Sequence, residues 1–113
     1  MPEELISLDG PTFVASENNL ADSSSLYADP GESSSNACEI TGVIHGASCD
    51  VDFIIEDSGG SEIISVNIAS PSGEGSKVLN PFIPLSDNER MKLKVTNTSG
   101  SGADFAIIGY EVQ

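Results

Sequence analysis

The sequence predicts an all-β protein, an antiparallel β-sandwich or jelly-roll-like fold of about seven to eight short strands. From residue 37 onward, apolar residues recur at every second position in short runs, and Gly, Ser, Asn and Pro separate these runs. Few stretches carry a helical stripe of apolar residues, and the segment 86–90 is long enough only for a turn. The chain has 113 residues, which is room for one such domain.

The first strands of this domain are predicted from alternating apolar residues. Residues expected to face inward are Cys38, Ile40 and Ile44 on the first strand, Val51, Phe53 and Ile55 on the second, and Ile64, Val66 and Ile68 on the third. We expect the first two strands to form a hairpin whose turn contains His45 as a solvated residue. The second strand has a largely wet outer face that carries Asp50 and Asp52.

The later strands follow the same pattern. Segment 78–85 contains Pro81 and Pro84, so it is predicted to be an edge strand or an irregular crossing segment. The clearest strand is 91–96, and segment 104–112 is predicted to be the last strand of the fold. Residues expected to face inward on strand 91–96 are Met91, Leu93 and Val95. On the last strand apolar residues occupy both parities: Phe105 and Ile107 on one, and Ala106, Ile108, Tyr110 and Val112 on the other.

Residues 1–36 differ in composition from residues 37–113. They are rich in Ser, Asp, Glu, Asn, Gly and Pro and are interpreted as an acidic, Ser-rich extended N-terminal arm with edge strands. Short apolar segments at 5–8 and 12–15 are long enough for such strands, whereas a flexible tail is an equally compatible interpretation of residues 1–10. Residues 37–113 are predicted to form the β-sandwich domain.

Charge is distributed unequally along the chain. The formal net charge is −14, and residues 1–76 contain fourteen acids and no Lys or Arg. This excludes a passive electrostatic grip on nucleic acid or on an anionic membrane, because both require clustered cations. All four cations lie in residues 77–113 and are the predicted partner-binding residues: Lys77, Arg90, Lys92 and Lys94. An excess of acids with little Lys also suits a salty milieu, where screening shortens the reach of self-repulsion.

The sequence offers little for catalysis. It contains one His, no Trp and no recognisable catalytic motif, so we expect a protein that is not an enzyme and uses no cofactor. Asp50, Asp52 and Asp57 are weak candidates for a Ca²⁺ site, since carboxylate oxygens are the ligands that Ca²⁺ prefers. Two or three carboxylates do not fill six to eight coordination positions, and a solvated acidic face is the expected alternative.

Cys38 and Cys49 are either a small disulfide loop or two thiols, and the predicted hairpin favours thiols because it puts the two residues out of register.

The N-terminus lacks the charged start and apolar stretch of a secretory signal, so we expect a soluble protein made without that export route. The sequon Asn97-Thr98-Ser99 is then expected to be incidental.

The C-terminal part of the chain resembles small all-β virion proteins of tailed viruses. The resemblance is carried by Leu85-Ser-Asp-Asn-Glu-Arg-Met-Lys-Leu-Lys-Val-Thr-Asn-Thr-Ser-Gly followed by Asp104-Phe-Ala-Ile-Ile-Gly-Tyr-Glu-Val, which looks like their closing hairpin, and the pattern extends over about residues 40–113. The resemblance implies a capsid decoration or cement protein, often a homotrimer. It also implies binding to the major capsid protein on the surface of a virion assembled in the host cytoplasm, with an extended arm gripping the shell or a neighbour.

A second hypothesis is a carbohydrate- or ligand-binding β-sandwich module, assisted by Ca²⁺ at the three aspartates named above. Phe82 and Tyr110 are its candidate stacking residues, because aromatic rings are the usual contact for a sugar. Two aromatic residues without Trp make a poor platform, so the virion hypothesis is preferred.

Overall fold

The computed structural model describes residues 12–29, 38–85 and 90–111. Eight β-strands lie in these ranges, and they form two four-stranded sheets that are antiparallel throughout. The strands are β1 (Thr12–Leu20), β2 (Ser25–Ala28), β3 (Cys38–His45), β4 (Cys49–Glu56), β5 (Glu62–Ala69), β6 (Gly75–Leu85), β7 (Met91–Asn97) and β8 (Ala103–Glu111). No helix among the described residues has the length and hydropathy needed to cross a bilayer.

The strand order has the jelly-roll pattern. Sheet 1 has the order β1-β8-β3-β6 and sheet 2 has the order β2-β7-β4-β5, so most consecutive strands lie in different sheets. Each sheet has one apolar face, and the two faces bury each other. The predicted fold class, an all-β antiparallel sandwich with a jelly-roll arrangement, is confirmed.

The predicted hairpin between β3 and β4 is wrong. Residues 46–48 carry the chain from sheet 1 to sheet 2, where β4 pairs with β5 and β7 instead of β3. His45 therefore does not lie in a solvated turn and is only 4% exposed. Periodicity identifies which face of a strand is apolar, but it does not identify the strand that pairs with it.

A bulge changes which residues of β3 face inward. Between Ile40 and Gly42 the register shifts against both β6 and β8. Beyond this shift Val43 and His45 face the core, while Ile44 is 40% exposed on the outer face of sheet 1. The prediction that Ile44 faces inward is therefore wrong, because one extra residue reverses the alternation.

Two strands of the predicted N-terminal arm are edge strands of the sandwich. β1 pairs with β8 at one edge of sheet 1, and β2 pairs with β7 at one edge of sheet 2. Leu20 and Ala28 from these strands belong to the hydrophobic core. Residues 1–11 and 30–36 of the predicted arm lie outside the described residues, so the boundary at residue 36 stays a prediction.

The core lies between the sheets and contains inward residues predicted for β7 together with one of the two apolar parities of β8. Leu93, Val95, Phe105 and Ile107 are each at most 2% exposed. β6 lies at the edge of sheet 1, as its two prolines predict. Opposite Ile40 and Gly42 of β3, this strand uses extra residues, and Pro81 lies in that irregular stretch.

Cys38 and Cys49 are both 2% exposed, and no disulfide joins them. They lie in different sheets, Cys38 on β3 and Cys49 on β4. Burial, together with the neighbouring negative charge of Asp50, raises the pKa of Cys49 from 9.0 to about 11. At neutral pH the thiol is therefore protonated and behaves as a small apolar side chain.

We expect the native protein to resist thiol reagents at pH 8. Raising the pKa of Cys49 from 9.0 to about 11 lowers its thiolate fraction by roughly one hundredfold, and burial blocks access as well. A thiol titration of native and urea-denatured protein measures this, with single Cys38→Ala and Cys49→Ala variants to assign each signal. Both thiols are expected to react only after denaturation, and a lack of reactive thiol in urea would contradict this prediction.

Candidate partner-binding surface

The four cations predicted to contact a partner have different surroundings in the folded chain. Lys92 on β7 places its Nζ 2.6 Å from Glu56 Oε2 and 3.9 Å from Asp29 Oδ2. Arg90 Nη2 lies 3.7 Å from Glu56 Oε1. Arg90 and Lys92 thus form ion pairs within the chain that link the start of β7 to the end of β4. Lys92 also lies close to Asp29, which follows β2.

The Lys92 ammonium group lies among largely buried groups. The side chains of Lys92, Glu56 and Asp29 are 16%, 11% and 17% exposed, and Nζ lies 4.9 Å from the centre of the Tyr27 ring. Burial by itself lowers the pKa of Lys92, but the hydrogen bond from Lys92 to Glu56 and the negative charges of Glu56 and Asp29 outweigh burial, so the pKa is raised. The cluster therefore favours the charged form of Lys92 in the folded state.

Lys77 and Lys94 make no ion pair with a described residue. Lys94 is half-buried on the outer face of sheet 2, opposite Asp52 on β4 and Tyr27 on β2 in the strand register. Lys77 is exposed on β6, at the edge of sheet 1. These two cations remain available to a partner, whereas sequence alone could not separate them from Arg90 and Lys92.

A cleft lies between the edge strands β5 and β6, and we call it the β5–β6 cleft. Its volume is about 370 Å³, and its walls are formed by Ile68, Lys77, Val78, Leu79, Asn80 and Ile83. Most of these side chains are apolar, and Lys77 is the charged residue among them. The cleft thus has an apolar surface next to Lys77, one of the two cations that remain available to a partner.

The inner face of β5 is also exposed. Ile64 and Val66 lie opposite Ile55 and Phe53 of β4 and so share the inner face of sheet 2, as predicted. Both are nevertheless exposed, because the opposing sheet does not cover this edge strand. Sequence reasoning placed these residues in the core and therefore missed this surface. Uncharged runs of nine or ten residues also occur at 40–49, 78–86 and 95–103, so the lack of charge on β5 was not a signal that this strand is uncovered.

The three aspartates considered for Ca²⁺ each have a structural partner. Asp50 accepts a hydrogen bond from Ser70 Oγ at 2.9 Å, and Asp52 accepts one from Asn67 Nδ2 at 3.1 Å. Asp57 Oδ1 accepts two backbone N–H bonds, from Gly59 and Ser61, and so closes its own turn. Within the described ranges, no three His, Cys, Asp or Glu side chains are grouped so that they could hold a metal ion.

The remaining residues singled out from the sequence have structural positions. Nδ1 of His45 donates a hydrogen bond to the Gly73 carbonyl at 2.7 Å and so fastens the β5–β6 loop to β3. Phe82 is 47% exposed on β6, whereas Tyr110 is half-buried on β8, and β3 lies between these two strands. The structure therefore does not bring the two rings together on neighbouring strands as one stacking platform.

Asn97 of the sequon is fully buried at the end of β7. Its side-chain amide nitrogen donates hydrogen bonds to the carbonyl oxygens of Leu20, at 2.9 Å, and Ser101, at 2.7 Å. A glycan cannot be attached to an amide in this position while the protein is folded, so the sequon has a structural role.

Among known proteins, sequence identity to one viral protein places the chain in a family. No protein-family profile matches the sequence. A solved structure of a Streptococcus pneumoniae fucose binding module is similar at a TM-score of 0.36 and 18% identity, over 87% of this chain and 69% of that one, which is too weak to inform fold or function. Over 114 residues the sequence is 35% identical to Gp30 of Haloferax tailed virus 1, a match that covers 99% of this chain and 98% of Gp30. The chain therefore belongs to the family of that tailed-virus protein, which confirms the predicted relation to proteins of tailed viruses.

Proposed function

We propose that this protein is a non-enzymatic structural component of a virion, a decoration or cement protein that binds the major capsid protein on the outer surface of a viral head. The observation that carries the proposal is the 35% identity to Gp30 of Haloferax tailed virus 1 along nearly all of both sequences. The relation thus concerns the complete sandwich rather than a short motif.

The acidic charge of the chain supports the proposal that it stays soluble until it meets an assembled partner. A net charge of −14 keeps the protein soluble and suppresses non-specific association until a surface with a complementary patch accepts it. Within the described ranges, the four edge strands of the two sheets have backbone groups that an assembly can cover. The one His, which would be the first candidate for a general base, is buried and hydrogen-bonded to a backbone carbonyl. These features favour binding over chemistry.

Lys94 and Lys77 are the cations that we propose for contacts with partners. Arg90 and Lys92 are paired with Glu56, so a partner would have to break ion pairs within the chain to use them. Lys94 faces outward from sheet 2 and is proposed to meet an acidic patch on the capsid protein. The resemblance to decoration proteins implies a homotrimer, which we retain as the proposed unit on the shell.

The test is binding of the purified full chain to heads of its own virus that lack the protein. We expect saturable co-sedimentation and added density on the outer surface in cryo-electron microscopy. Lys94→Glu should weaken binding several-fold at low salt, whereas Lys94→Arg, which keeps the charge, should not. Absence of the protein from purified particles, together with no binding to heads that lack it, would refute the proposal.

A glycan-binding role is the competing function, and the same protein sample tests it. We expect no signal on a glycan array and no heat on titration with Ca²⁺, because a pure shell protein binds neither. Specific binding of a glycan without binding to heads would favour the competing function.

A further inference from the structure

The four edge strands differ in their protection against pairing with another chain. β2 has only four residues, β6 carries Pro81 and Pro84, and β1 contains Glu17 and two register shifts against β8. Short length, proline, charge and bulges are the usual means by which proteins block an edge. β5 also has two register shifts, against β4, but it has eight residues, no proline and no charge after Glu62. Among the described edge strands longer than four residues, β5 alone has neither a proline nor a charge in its interior.

The side chains of β5 are also unusually exposed for their chemistry. Four of them are large and apolar: Ile63 is 61% exposed, Ile64 45%, Val66 49% and Ile68 36%. Ile68 also lines the β5–β6 cleft, so the exposed apolar residues of β5 reach the apolar wall of that cleft. Such a surface on an otherwise acidic protein marks a site of association.

We propose that β5 pairs with β5 of a second copy of this chain, antiparallel, about a two-fold axis at Val66. A two-fold axis perpendicular to the sheet keeps each face on its own side, so residues of like parity must lie opposite each other. Residues 64–67 are in regular register with β4, and centring the pairing on Val66 in this stretch places Val66 opposite Val66, Ser65 opposite Asn67, and Ile64 opposite Ile68. Apolar residues then meet apolar residues and polar residues meet polar ones.

The distribution of charge favours a second copy of this chain, in the antiparallel orientation, as the partner of β5. Two copies that each carry −14 repel each other over most of their surfaces, but residues 63–69 bring no charge to the contact. The acid at the end of the strand, Glu62, lies opposite Ser70 of the copy, at the end where Lys77 lines the cleft beside Ile68. Symmetry makes this attraction occur twice, so the pairing is complementary in charge as well as in shape.

The pairing would join the two copies of sheet 2 into one eight-stranded sheet and satisfy the backbone groups on the open side of β5. This inference does not rest on the capsid role. It is compatible with the proposed trimer only if trimers join in pairs, so the assembly in solution must contain an even number of copies.

Cysteine cross-linking of the full chain tests the register. In Val66→Cys the two sulfur atoms meet at the axis, where Cβ atoms of opposed residues are about 4.5–5.5 Å apart, close to disulfide geometry. In Ile63→Cys the same strand carries an exposed thiol, but the two copies lie roughly 20 Å apart. Mild oxidation should therefore link Val66→Cys into a dimer and leave Ile63→Cys and the unchanged chain, whose own cysteines are buried, as single chains.

Native mass spectrometry and a charge exchange complete the test. We expect an even number of copies, a several-fold weaker association for Lys77→Glu, and recovery of the association in the double variant Glu62→Lys with Lys77→Glu. Circular dichroism confirms that each variant is folded. Monomers alone, an odd number of copies, or failure of Val66→Cys to link selectively would overturn the proposal. Particle binding is measured separately, so loss of one result leaves the other standing.

Discussion

Replacing Asn97 with alanine is expected to lower the free energy of unfolding by about 3–4 kcal/mol. The Asn97 side chain is fully buried and makes four hydrogen bonds, which is the full capacity of an amide. Its nitrogen donates to Leu20 and Ser101, and its oxygen accepts from the backbone N–H and the hydroxyl of Ser99. Truncation leaves those carbonyl and N–H groups without this partner and opens a small cavity.

Urea denaturation of the variant and the unchanged protein measures this loss. Asn18→Ala is the matched control, since Asn18 is exposed on β1 and its truncation should change stability by less than about 0.5 kcal/mol. A loss below about 1 kcal/mol for Asn97→Ala would mean that the loops it joins are held in other ways.

Asn97→Asp separates hydrogen bonding from packing. Aspartate has the same size and keeps an oxygen for Ser99, but it places an anion against the carbonyl oxygens of Leu20 and Ser101. We expect this variant to be at least as unstable as Asn97→Ala at neutral pH. Stability close to that of the unchanged protein would assign the role of Asn97 to packing alone.

Lys92→Met is expected to lower the free energy of unfolding by about 2–3 kcal/mol. Methionine preserves most of the apolar stem but removes the ammonium group, which leaves Glu56 and Asp29 largely buried without this cation. Arg90 remains near Glu56 at 3.7 Å, and for this reason the expected loss is below that of a fully isolated buried charge. Lys94, on the same strand and face, makes no ion pair with a described residue, so Lys94→Met should cost less than about 1 kcal/mol.

The contribution of Lys92 should depend on pH in one direction. Its pKa is raised in the folded state, so its contribution is fully present below the ordinary value of 10.5 and is lost as the pH rises through the folded value. The difference in stability between the unchanged protein and Lys92→Met should therefore be constant from pH 7 to about 9.5 and shrink above about 10.5. A difference that vanished at neutral pH instead would show that the cluster does not stabilise the fold.

Most of the strands follow from the sequence because alternation reports burial of one face directly. Leu93 and Val95 alternate with lysines and are buried, and the two prolines of β6 restrict that strand to an edge. The family relation was also visible in the C-terminal strand, loop and strand. Local pattern was enough in these cases because each residue's preference agreed with its place in the fold.

The candidate site was less predictable from the sequence. Lys92 and Lys94 have the same position in the strand pattern, yet the ends of β2 and β4 surround only Lys92 with acids. Ile64 and Ile68 have the same alternation as core residues, yet they lie on an edge strand that the other sheet does not cover. These differences depend on residues far apart in the chain, and periodicity contains no information about them.

The sequence by itself determined that this protein is an acidic, all-β sandwich with its cations confined to the C-terminal third. Composition is a property of the chain and alternation is a property of neighbouring residues, so both can be read without knowing the structure. Only the tertiary structure decided that β3 and β4 enter different sheets, that Asn97 and His45 are buried, and that β5 remains uncovered. The physical reason is that burial of an edge strand depends on which strand of the other sheet packs over it. That packing depends on how the whole chain passes between the two sheets.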